Sequence, residues 1–415
     1  MILVENLPVP LDRRTWDEAR SLQAAGWEVA VIGPRGKGDM RRLRDRIDGI
    51  AVFRYPQRAA SGLAGYLTEY LPSMAFSMAW YISIRAGGRV DVVHACNPPD
   101  LFWPIGLVNR ALGGAFVFDQ HDVGPELAAT KFGTTGPRAW LIRRLTLWLE
   151  AMSYRTARLV ISPNESYRDI AMGRGRRPAE TVILVRNAPN LAPYRELSAG
   201  ISPEAHRVGY VGVMGSQDGV DLLLQAWSLV CAEPDVGDAC LELVGDGEAR
   251  PSLERMAGEL GIADRVRFHR YLRPDRFIPI LAGCSVCVSP DPPTPFNDVS
   301  TMVKVTDYLA LGRGVVAFDL AETRRLAGAA VSIVTPPTPQ ALASRLLNLL
   351  RGPEEASRLC AASARRADEI GLDWEASAAI LVRGYERLDP RYITRAANSP
   401  SRSSSGSGRT RPHPP

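Results

Sequence analysis

The sequence of 415 residues lacks the features that mark membrane-spanning or disulfide-linked secreted proteins. Its most apolar run, Leu71 to Ile84, falls short of the roughly 20 residues that cross a bilayer, so we expect a buried or interfacial helix there. The N-terminus has neither the basic start nor the long apolar stretch of a signal peptide. The six cysteines are scattered, and the only close pair, Cys284 and Cys287, lies in an apolar, strand-like segment. This pattern is typical of reduced core cysteines rather than a zinc or redox site.

Net positive charge is also lacking outside the last 25 residues of the sequence. The formal net charge is +5, but residues 391–415 carry five arginines and no acid, so the remainder is about neutral. Nucleic-acid binding normally needs a basic face on the folded part, so we expect no nucleic-acid partner. The low complexity of residues 391–415 predicts a disordered tail.

What the sequence does contain is a long alternation of short apolar strands and helical patterns, which predicts an α/β protein with parallel sheets. The length suits two Rossmann-like domains. We expect a first domain over residues 1–190 and a second domain over residues 206–370, joined by a linker over 191–205. A helix over 371–390 is expected to cross back to the first domain. Ligands bind beyond the carboxyl ends of parallel strands, so the cleft between the two domains is the expected site.

Two stretches of the second domain carry glycine turns at the ends of strands. In VGYVGVMGSQDGVDLLLQAW (208–227), a turn containing Gly215 precedes a helix, and such a turn lets backbone amides approach a phosphate. In LVGDGEARPSLERMAGELGIADRVRFHRYL (243–272), the turn contains Asp246 and Gly247. The first turn is a candidate for binding a phosphate, and the second turn ends a strand of the same predicted sheet.

A third stretch, SPDPPTPFNDVSTMVKVTDYLALGRGVVAFDL (289–320), combines a Pro-rich loop with a helix. We expect Asn297 and Asp298 to end the loop and Ser300 or Thr301 to cap the helix. All four are candidates for binding the ligand in the cleft.

Lys304 falls in the first turns of that helix, and Asp307 follows at i+3 on the same face. A cation is disfavoured at a helix N-terminus, and a bound anion would reverse that penalty. We therefore expect Lys304 to hold a diphosphate and Asp307 to accept hydrogen bonds from ribose hydroxyls. The alternative is a solvated Lys304–Asp307 pair.

These three stretches resemble glycosyltransferase family 4, whose members are retaining enzymes of the GT-B fold, with two Rossmann-like domains facing across a cleft. The resemblance covers residues 2–385 and is strongest in 208–320, and it implies that the turn containing Asp246 and Gly247 lies beside the nucleotide. It implies transfer of a hexosyl, amino-sugar or deoxy-sugar group from a nucleotide-diphosphate donor such as a UDP-sugar. The acceptor would be a hydroxyl of a glycan, a lipid-linked molecule or a small molecule, with retention of configuration, as in polysaccharide biosynthesis.

The same resemblance points to residues of the first domain. His121 follows a buried strand and is similar to the family's histidine beside the transferred sugar, so it joins Lys304 and Asp307 as a candidate catalytic residue; a structural histidine is the alternative. Asp122 and Glu126 are candidate acceptor contacts. The segment VRNAPN (185–190) ends a strand and contributes two candidate donor-binding residues, Arg186 and Asn187.

The sequence departs from the family pattern in its charges. The first of two spaced glutamates falls at Val299, and the second is Asp307. The arginine and lysine usual in the glycine turn fall at Val213 and Asp218. The positive charge facing a diphosphate must then come from Lys304 or Arg186. These losses favour one alternative function, that of a non-catalytic, degenerate glycosyltransferase subunit in a membrane complex.

No metal or other cofactor is expected. The sequence has no D-x-D spacing, the metal motif of the other main glycosyltransferase fold, so we expect activity without a divalent cation. A dinucleotide-dependent oxidoreductase would need G-x-G-x-x-G after the first strand, which is absent. A phosphorylase of this fold would need a pyridoxal phosphate lysine, and lysine occurs only at positions 37, 131 and 304.

Two segments suggest a membrane surface as a partner. Residues 138–158 alternate apolar positions with arginines at helical spacing, and residues 71–84 are strongly apolar. Helices of this kind can lie on anionic lipid, although an apolar stripe is more often part of a core. We expect a cytoplasmic protein, with a peripheral position on the inner face of the plasma membrane as the further hypothesis.

Overall fold

The protein is described here by a computed structural model that covers residues 1–57 and 62–388. The predicted tail, 391–415, and the end of the predicted crossover helix, 389–390, lie outside the described residues. Within the described part, the chain forms two β-sheets with helices packed on their faces. The structure therefore has the predicted α/β class, with two parallel-sheet domains.

The first sheet has the strand order β3-β4-β2-β1-β5-β6-β7-β8, and all neighbours are parallel except β3 and β4. The antiparallel β3–β4 hairpin at its edge was not predicted. The strands are β1 (Ile2–Leu3), β2 (Ala30–Pro34), β3 (Arg44–Ile47), β4 (Ile50–Tyr55), β5 (Val92–Cys96), β6 (Ala115–Asp119), β7 (Leu159–Ser162) and β8 (Val182–Leu184).

Six α-helices of the described residues lie between the strands of this sheet. Their bounds are α1 (Arg13–Ala24), α2 (Gly62–Gly87), α3 (Trp103–Ala111), α4 (Gly124–Phe132), α5 (Gly136–Thr156) and α6 (Glu165–Met172). Helix α1 begins where the Asp12 side chain accepts a hydrogen bond from the Thr15 amide, and α6 begins in the same way at Asn164. These caps place both helices at the carboxyl edge of the sheet, beside the ends of β1 and β7.

The second sheet is wholly parallel, with the order β11-β10-β9-β12-β13-β14. Its strands are β9 (Glu204–Val211), β10 (Cys240–Val244), β11 (Val266–His269), β12 (Cys284–Ser289), β13 (Gly314–Phe318) and β14 (Val331–Val334). Every residue of β12 and of β13 is buried, as expected for the inner strands of a sheet covered on both faces. Cys284 and Cys287 are buried free thiols in β12.

Nine further α-helices lie between Leu191 and Glu369 in the described part of the chain. The pattern of residues 274–282 predicts a helix there, and the structure has a helix with the same bounds, whereas the helix Pro353–Glu369 was not predicted. The bounds are α7 (Leu191–Ser198), α8 (Val220–Cys231), α9 (Arg250–Glu259), α10 (Pro274–Ala282), α11 (Pro295–Val299), α12 (Val303–Ala310), α13 (Ala321–Ala327), α14 (Pro339–Arg351) and α15 (Pro353–Glu369).

The segment expected as a linker, 191–205, contains helix α7 and the start of β9. The side chain of Asn190 caps the helix at the Ala192 amide, and Tyr194 is buried against the second sheet's helices. Local capping and burial of one aromatic face outweigh the turn-forming residues of this segment.

The last described helix, α16 (Trp374–Glu386), returns to the first domain. Leu381 and Tyr385 join the core of that domain, and the Trp374 indole donates to Ser21 Oγ at 3.1 Å. At Gly384 a Cβ atom would lie 2.6 Å from Ile183 Cδ1, so the helix backbone packs directly on β8. This close packing joins the end of the described chain to the domain where the chain begins.

The two sheets meet at their carboxyl edges. The Asn164 amide group donates to Thr301 Oγ1 at 3.0 Å, and the Tyr167 and Ser300 hydroxyls lie 2.9 Å apart. Ser166 Oγ donates to Glu322 Oε2 at 2.6 Å. The strand order reverses direction once in each sheet. The reversal lies between β1 and β5 in the first sheet and between β9 and β12 in the second. Such switch points are where open α/β sheets bind ligands, so the facing edges form the candidate site.

Candidate functional site between the two sheets

The side of the cleft that the second domain forms is called the second-domain wall, or second wall, and the facing side the first-domain wall, or first wall. The second-domain wall begins with the glycine turn after β9. Gly219 has a φ of +69°, and a Cβ atom there would lie 2.0 Å from the Pro290 carbonyl oxygen, so only glycine fits. The Gly215 amide donates to Asp218 Oδ2 at 2.9 Å. Burial raises the pKa of Asp218, and the nearby Lys304 opposes that shift. An acidic side chain therefore occupies the turn where the family pattern has a lysine.

The turn after β10 packs directly against this glycine turn. The Met214 amide donates to the Asp246 carbonyl at 3.0 Å, and a Cβ atom on Gly247 would lie 2.4 Å from the Met214 carbonyl oxygen. The Asp246 side chain is exposed and lies 3.7 Å from Arg250. The structure thus brings the two predicted nucleotide-binding turns together, with Gly215, Asp246 and Gly247 in one surface.

Lys304 lies below these turns with its ammonium group in a buried ion pair. Its Nζ atom is 2.5 Å from Asp291 Oδ1, and only 8% of the side chain is exposed. Asp291 follows β12 and also accepts a hydrogen bond from Ser289. A Cβ atom on Gly212 would lie 3.0 Å from Lys304 Cε, so the turn backbone rests on the lysine. The partner of Lys304 is therefore Asp291, and the alternative of a solvated Lys304–Asp307 pair is wrong.

Asp307 points to a different neighbour. It accepts a hydrogen bond of 2.6 Å from the hydroxyl of Tyr194 on α7. Burial raises the pKa of Asp307 to about 6, although the Tyr194 hydrogen bond and the charge of Arg13 oppose the shift. Arg13 belongs to the first domain, so Asp307 lies where the two walls approach each other.

The predicted roles of four residues before α12 are wrong in their local structure. Asn297 and Asp298 lie within helix α11, which Thr294 caps, rather than at the end of a loop. Asp298 caps α13 through the Ala321 amide at 2.8 Å. Neither Ser300 nor Thr301 caps α12, whose N-cap is Met302. Their hydroxyls instead contact Tyr167 and Asn164 of the first domain, and these contacts across the cleft replace the local cap.

On the first-domain wall, His121 follows β6 and is held by two contacts. Its Nε2 atom lies 2.7 Å from Asp119 Oδ2, and its backbone amide donates to Asn97 Oδ1 at 2.7 Å. Arg14 donates to Asp119 Oδ1 at 2.9 Å and to Asn187 Oδ1 at 2.6 Å. Asn187 is thereby tied to the same network as His121.

Four buried side chains of this network have the donor atoms of a metal site. Atoms of Glu18, His94, Cys96 and Asp119 all lie within 4.8 Å of one another, and the set of nitrogen, sulfur and oxygen donors suits zinc. Arg14, however, lies 3.1 Å from Glu18 and 2.9 Å from Asp119. Burial, and then the charge of Asp119, raise the pKa of Glu18 well above its usual range. Arg14 therefore supplies a positive charge to both carboxyl groups of the cluster.

The remaining predicted residues of the first domain are engaged in pairs of their own. Arg186 pairs with Glu165 at the start of α6, and Glu126 forms two hydrogen bonds with Arg174, at 2.7 and 3.0 Å. Asp122 lies next to His121, and burial raises its pKa. Among the described contacts, the Asp122 side chain forms no ion pair.

Family comparisons match both halves of this arrangement. Residues 11–188 match a family described as "Glycosyl transferase 4-like domain", and residues 205–352 match "Glycosyl transferases group 1". Together the two matches span both walls of the cleft. The chain belongs to family 4 of the GT-B glycosyltransferases.

Individual relatives agree with this assignment. The glycosyltransferase is 26% identical to the alpha-D-kanosaminyltransferase of Streptomyces kanamyceticus over 350 residues, covering 79% of this chain and 83% of the relative. It is 28% identical over 199 residues to a D-inositol 3-phosphate glycosyltransferase of Streptomyces griseus, of which that match covers 42%. The chain is therefore an enzyme that transfers a sugar from a nucleotide-sugar donor.

Solved structures share the fold at low identity. The sucrose-phosphate synthase of Thermosynechococcus elongatus superimposes with a TM-score of 0.71 at 18% identity, over 93% of this glycosyltransferase and 98% of that chain. Anabaena HepE in complex with UDP and glucose has a TM-score of 0.65 at 17% identity, over 93% and 99% of the two chains. These similarities establish the GT-B architecture.

Sequence reasoning missed several residues of the glycosyltransferase site. Asp119 and Asp291 each end or follow a buried strand, in FVFD and CVSPD, which is a usable signal for a residue at the carboxyl edge of a sheet. Arg14 and Glu18 carry a weaker signal, because i,i+4 pairs on a helix are ordinarily exposed. Glu322 has no local signal, since its partner Ser166 lies in the other domain.

Proposed function

We propose that this enzyme transfers a sugar from a UDP-linked donor with retention of configuration, and that Lys304 exchanges Asp291 for the leaving diphosphate. The observation that carries this proposal is the buried Lys304–Asp291 pair beneath two adjoining glycine turns, at the switch point of the second sheet. A diphosphate entering beside the turns would compete with Asp291 for the ammonium group. Asp246, Gly247 and Gly215 would line the same pocket.

Sugar transfer mainly requires the enzyme to stabilise the charges that develop in the transition state. As the glycosidic bond to phosphate breaks, positive charge develops on the sugar ring and negative charge on the leaving diphosphate. A fixed lysine and the free amides at the start of α12 would stabilise that negative charge without reorganising. The leaving phosphate would take the proton of the acceptor hydroxyl, so neither a protein nucleophile nor a metal ion is required. Asp307 would accept hydrogen bonds from the ribose.

The donor sugar is proposed to be a hexose that carries an amino or deoxy substitution. The first support is the relative named alpha-D-kanosaminyltransferase, which matches along most of the chain. The second is the loss of the usual charges at Val213, Asp218 and Val299. His121 would contact the transferred sugar, and Asp122 would contact the hydroxyl of a glycan, lipid-linked or small-molecule acceptor.

A donor screen tests this function directly. Purified enzyme is incubated with a panel of UDP- and dTDP-linked hexoses, amino sugars and deoxy sugars, and release of the nucleotide diphosphate is measured. We expect a UDP-sugar to be hydrolysed slowly, with activity unchanged by EDTA, and UDP to raise the melting temperature. Lys304→Ala should abolish both effects, whereas Lys37→Ala, an exposed lysine, should preserve them. Activity that is lost with EDTA and restored by Mg²⁺ would contradict the metal-independent mechanism.

We further propose that the first domain docks on an anionic membrane surface through α5. No helix in the described ranges is both long and apolar enough to cross a membrane. Helix α5 nevertheless leaves Trp140, Leu141, Leu145 and Trp148 exposed on one side. Arg143 and Arg144 are exposed beside them, and Arg144 lies over the Trp140 ring at 5.6 Å. Apolar anchors flanked by arginines suit binding to the surface of anionic lipid.

Vesicle sedimentation tests this surface. The wild-type enzyme should sediment with vesicles that contain anionic phosphatidylglycerol and much less with neutral phosphatidylcholine. Replacing Trp140 and Trp148 by serine should release it. Tyr271→Ser, which removes an exposed aromatic ring of the second domain, serves as the matched control. Equal sedimentation of the two variants would sink the assignment to α5.

A further inference from the structure

One contact of the first-domain wall determines which atom of His121 can reach a substrate. Asp119, the last residue of β6, is fully buried and lies 2.7 Å from Nε2 of the imidazole. The backbone amide of His121 is held by Asn97 Oδ1. The ring is therefore fixed at both ends, through its own backbone and through Nε2.

The charge of Asp119 follows from its surroundings. Burial opposes its ionisation, but the charge of Arg14 and the hydrogen bond from His121 more than offset that effect and hold the pKa of Asp119 well below its usual range. Glu18, which shares Arg14, is the carboxyl group whose pKa is raised by burial. His94 also lies against the cluster, with Nε2 3.4 Å from Asp119 Oδ2 and Nδ1 2.6 Å from the Tyr385 hydroxyl. Asp119 is thus the ionised acid of the network.

An ionised carboxylate can only accept hydrogen bonds, so the His121 Nε2 atom must carry the hydrogen of their contact. In a neutral imidazole the other nitrogen, Nδ1, is then an acceptor without a hydrogen. No hydrogen bond among the described residues uses Nδ1 of His121. The free nitrogen of this ring therefore accepts, and a phosphate oxygen, which also accepts, is not its partner.

We propose that Asp119 is a positioning residue that locks His121 as the Nε2–H tautomer, so that Nδ1 accepts a hydrogen bond from a hydroxyl or amino group of the substrate. Arg14 serves this arrangement by keeping the charge on Asp119. The inference rests on the proposed function and deepens it, because it names the chemical class that His121 recognises: an O–H or N–H donor on the sugar, rather than the diphosphate.

The tautomer can be measured without any turnover. Long-range ¹H–¹⁵N correlation spectra of enzyme labelled at its five histidines distinguish the two tautomers by their nitrogen shifts. The His121→Gln spectrum identifies the signal that belongs to His121. We expect an Nε2–H tautomer in the wild-type enzyme. An Nδ1–H tautomer, or a mixture of the two, would overturn the proposal, and this measurement needs no Asp119 variant to fold.

Kinetics of Asp119→Asn supply the second test. An asparagine keeps the shape of the side chain but can turn either an acceptor or a donor toward the ring, so we expect a mixed tautomer. The value of kcat should fall roughly 10- to 100-fold, as for other residues that orient a functional histidine, while KM for the donor stays within about threefold. Asp122→Asn removes a neighbouring charge without touching the ring, and it should leave the tautomer unchanged.

The outcomes separate this inference from the proposed function. If Asp119→Asn keeps both the wild-type tautomer and kcat, Asp119 does not position His121. If UDP fails to raise the melting temperature of the wild-type enzyme, the proposed function fails whatever the tautomer. A donor analogue that lacks the hydroxyl facing His121 should lose the difference between wild type and Asp119→Asn.

Discussion

The two walls of the cleft use buried charge differently. On the first-domain wall, Arg14, Asp119 and His121 satisfy one another through contacts that need no ligand. On the second-domain wall, Lys304 is held by a single acid, Asp291, beneath turns that are open to the cleft. The first wall is preorganised to present one ring nitrogen. The second holds its cation in a single ion pair, which the proposed mechanism exchanges for the diphosphate in each turnover.

The largest expected effect comes from breaking the first wall. Arg14→Met should lower the free energy of unfolding by about 3–5 kcal/mol, because it leaves the buried Asp119 carboxylate without a counterion. Urea unfolding measures this loss. UDP should still raise the melting temperature of the variant, since the nucleotide binds the other wall. A folded Arg14→Met enzyme that no longer responds to UDP would show that the two walls are not independent.

The matching change on the second wall should act on ligand binding. Asp291→Asn keeps an acceptor for Ser289 but removes the charge that competes with the diphosphate for Lys304. We therefore expect UDP to bind about tenfold more tightly, a gain of about 1.4 kcal/mol. Isothermal titration calorimetry gives the affinity, and Asp119→Asn is the control, for which UDP affinity should not change. Weaker binding by Asp291→Asn would mean that Asp291 contacts the nucleotide rather than competing with it.

The same contrast explains what the sequence could predict. Strands, glycine turns and the position of Lys304 follow from local patterns, and helix α10 has its predicted bounds. The partner of Asp119 was not predicted, because Arg14 lies 105 residues away in the sequence, and the partner of Lys304 was not predicted, because Asp291 lies in the loop after β12, 13 residues before it. Side-chain pairing across the fold is decided by packing, which no local pattern contains.

Ser300 and Thr301 show the same limit in another form. Both are good helix caps by residue type, and the sequence favours that role. Their hydroxyls are instead used by Tyr167 and Asn164, more than 100 residues away in the first domain. Both hydroxyls therefore form hydrogen bonds with the other domain instead of a local helix cap. These contacts depend on how the two domains pack, which the local sequence does not contain.

Acidity should weaken nucleotide binding at the second wall through Asp307. Burial raises the pKa of Asp307 to about 6, so this carboxyl group gains a proton as the pH falls below 6. Only the ionised form accepts freely from two ribose hydroxyls, so affinity for UDP-glucose should fall about tenfold between pH 7 and pH 5. UDP-glucose, rather than UDP, is the ligand used for this measurement, because its esterified diphosphate does not titrate in this pH range. Asp307→Asn should show a flat profile, and a variant profile as steep as the wild type would exclude Asp307 as the cause.

The smallest expected effect tests whether the second wall can be returned to the usual family charge. Asp218→Lys places a cation in the glycine turn, where the family pattern has one, but it also removes the acceptor of the Gly215 amide. The new attraction at a partly exposed position is worth about 0.2–1 kcal/mol, so UDP should bind only about threefold more tightly. Asp218→Asn keeps an acceptor for the amide and separates loss of the acid from gain of the base. If Asp218→Lys binds UDP no better than Asp218→Asn, the diphosphate does not approach this turn, and Lys304 must hold it from the α12 side alone.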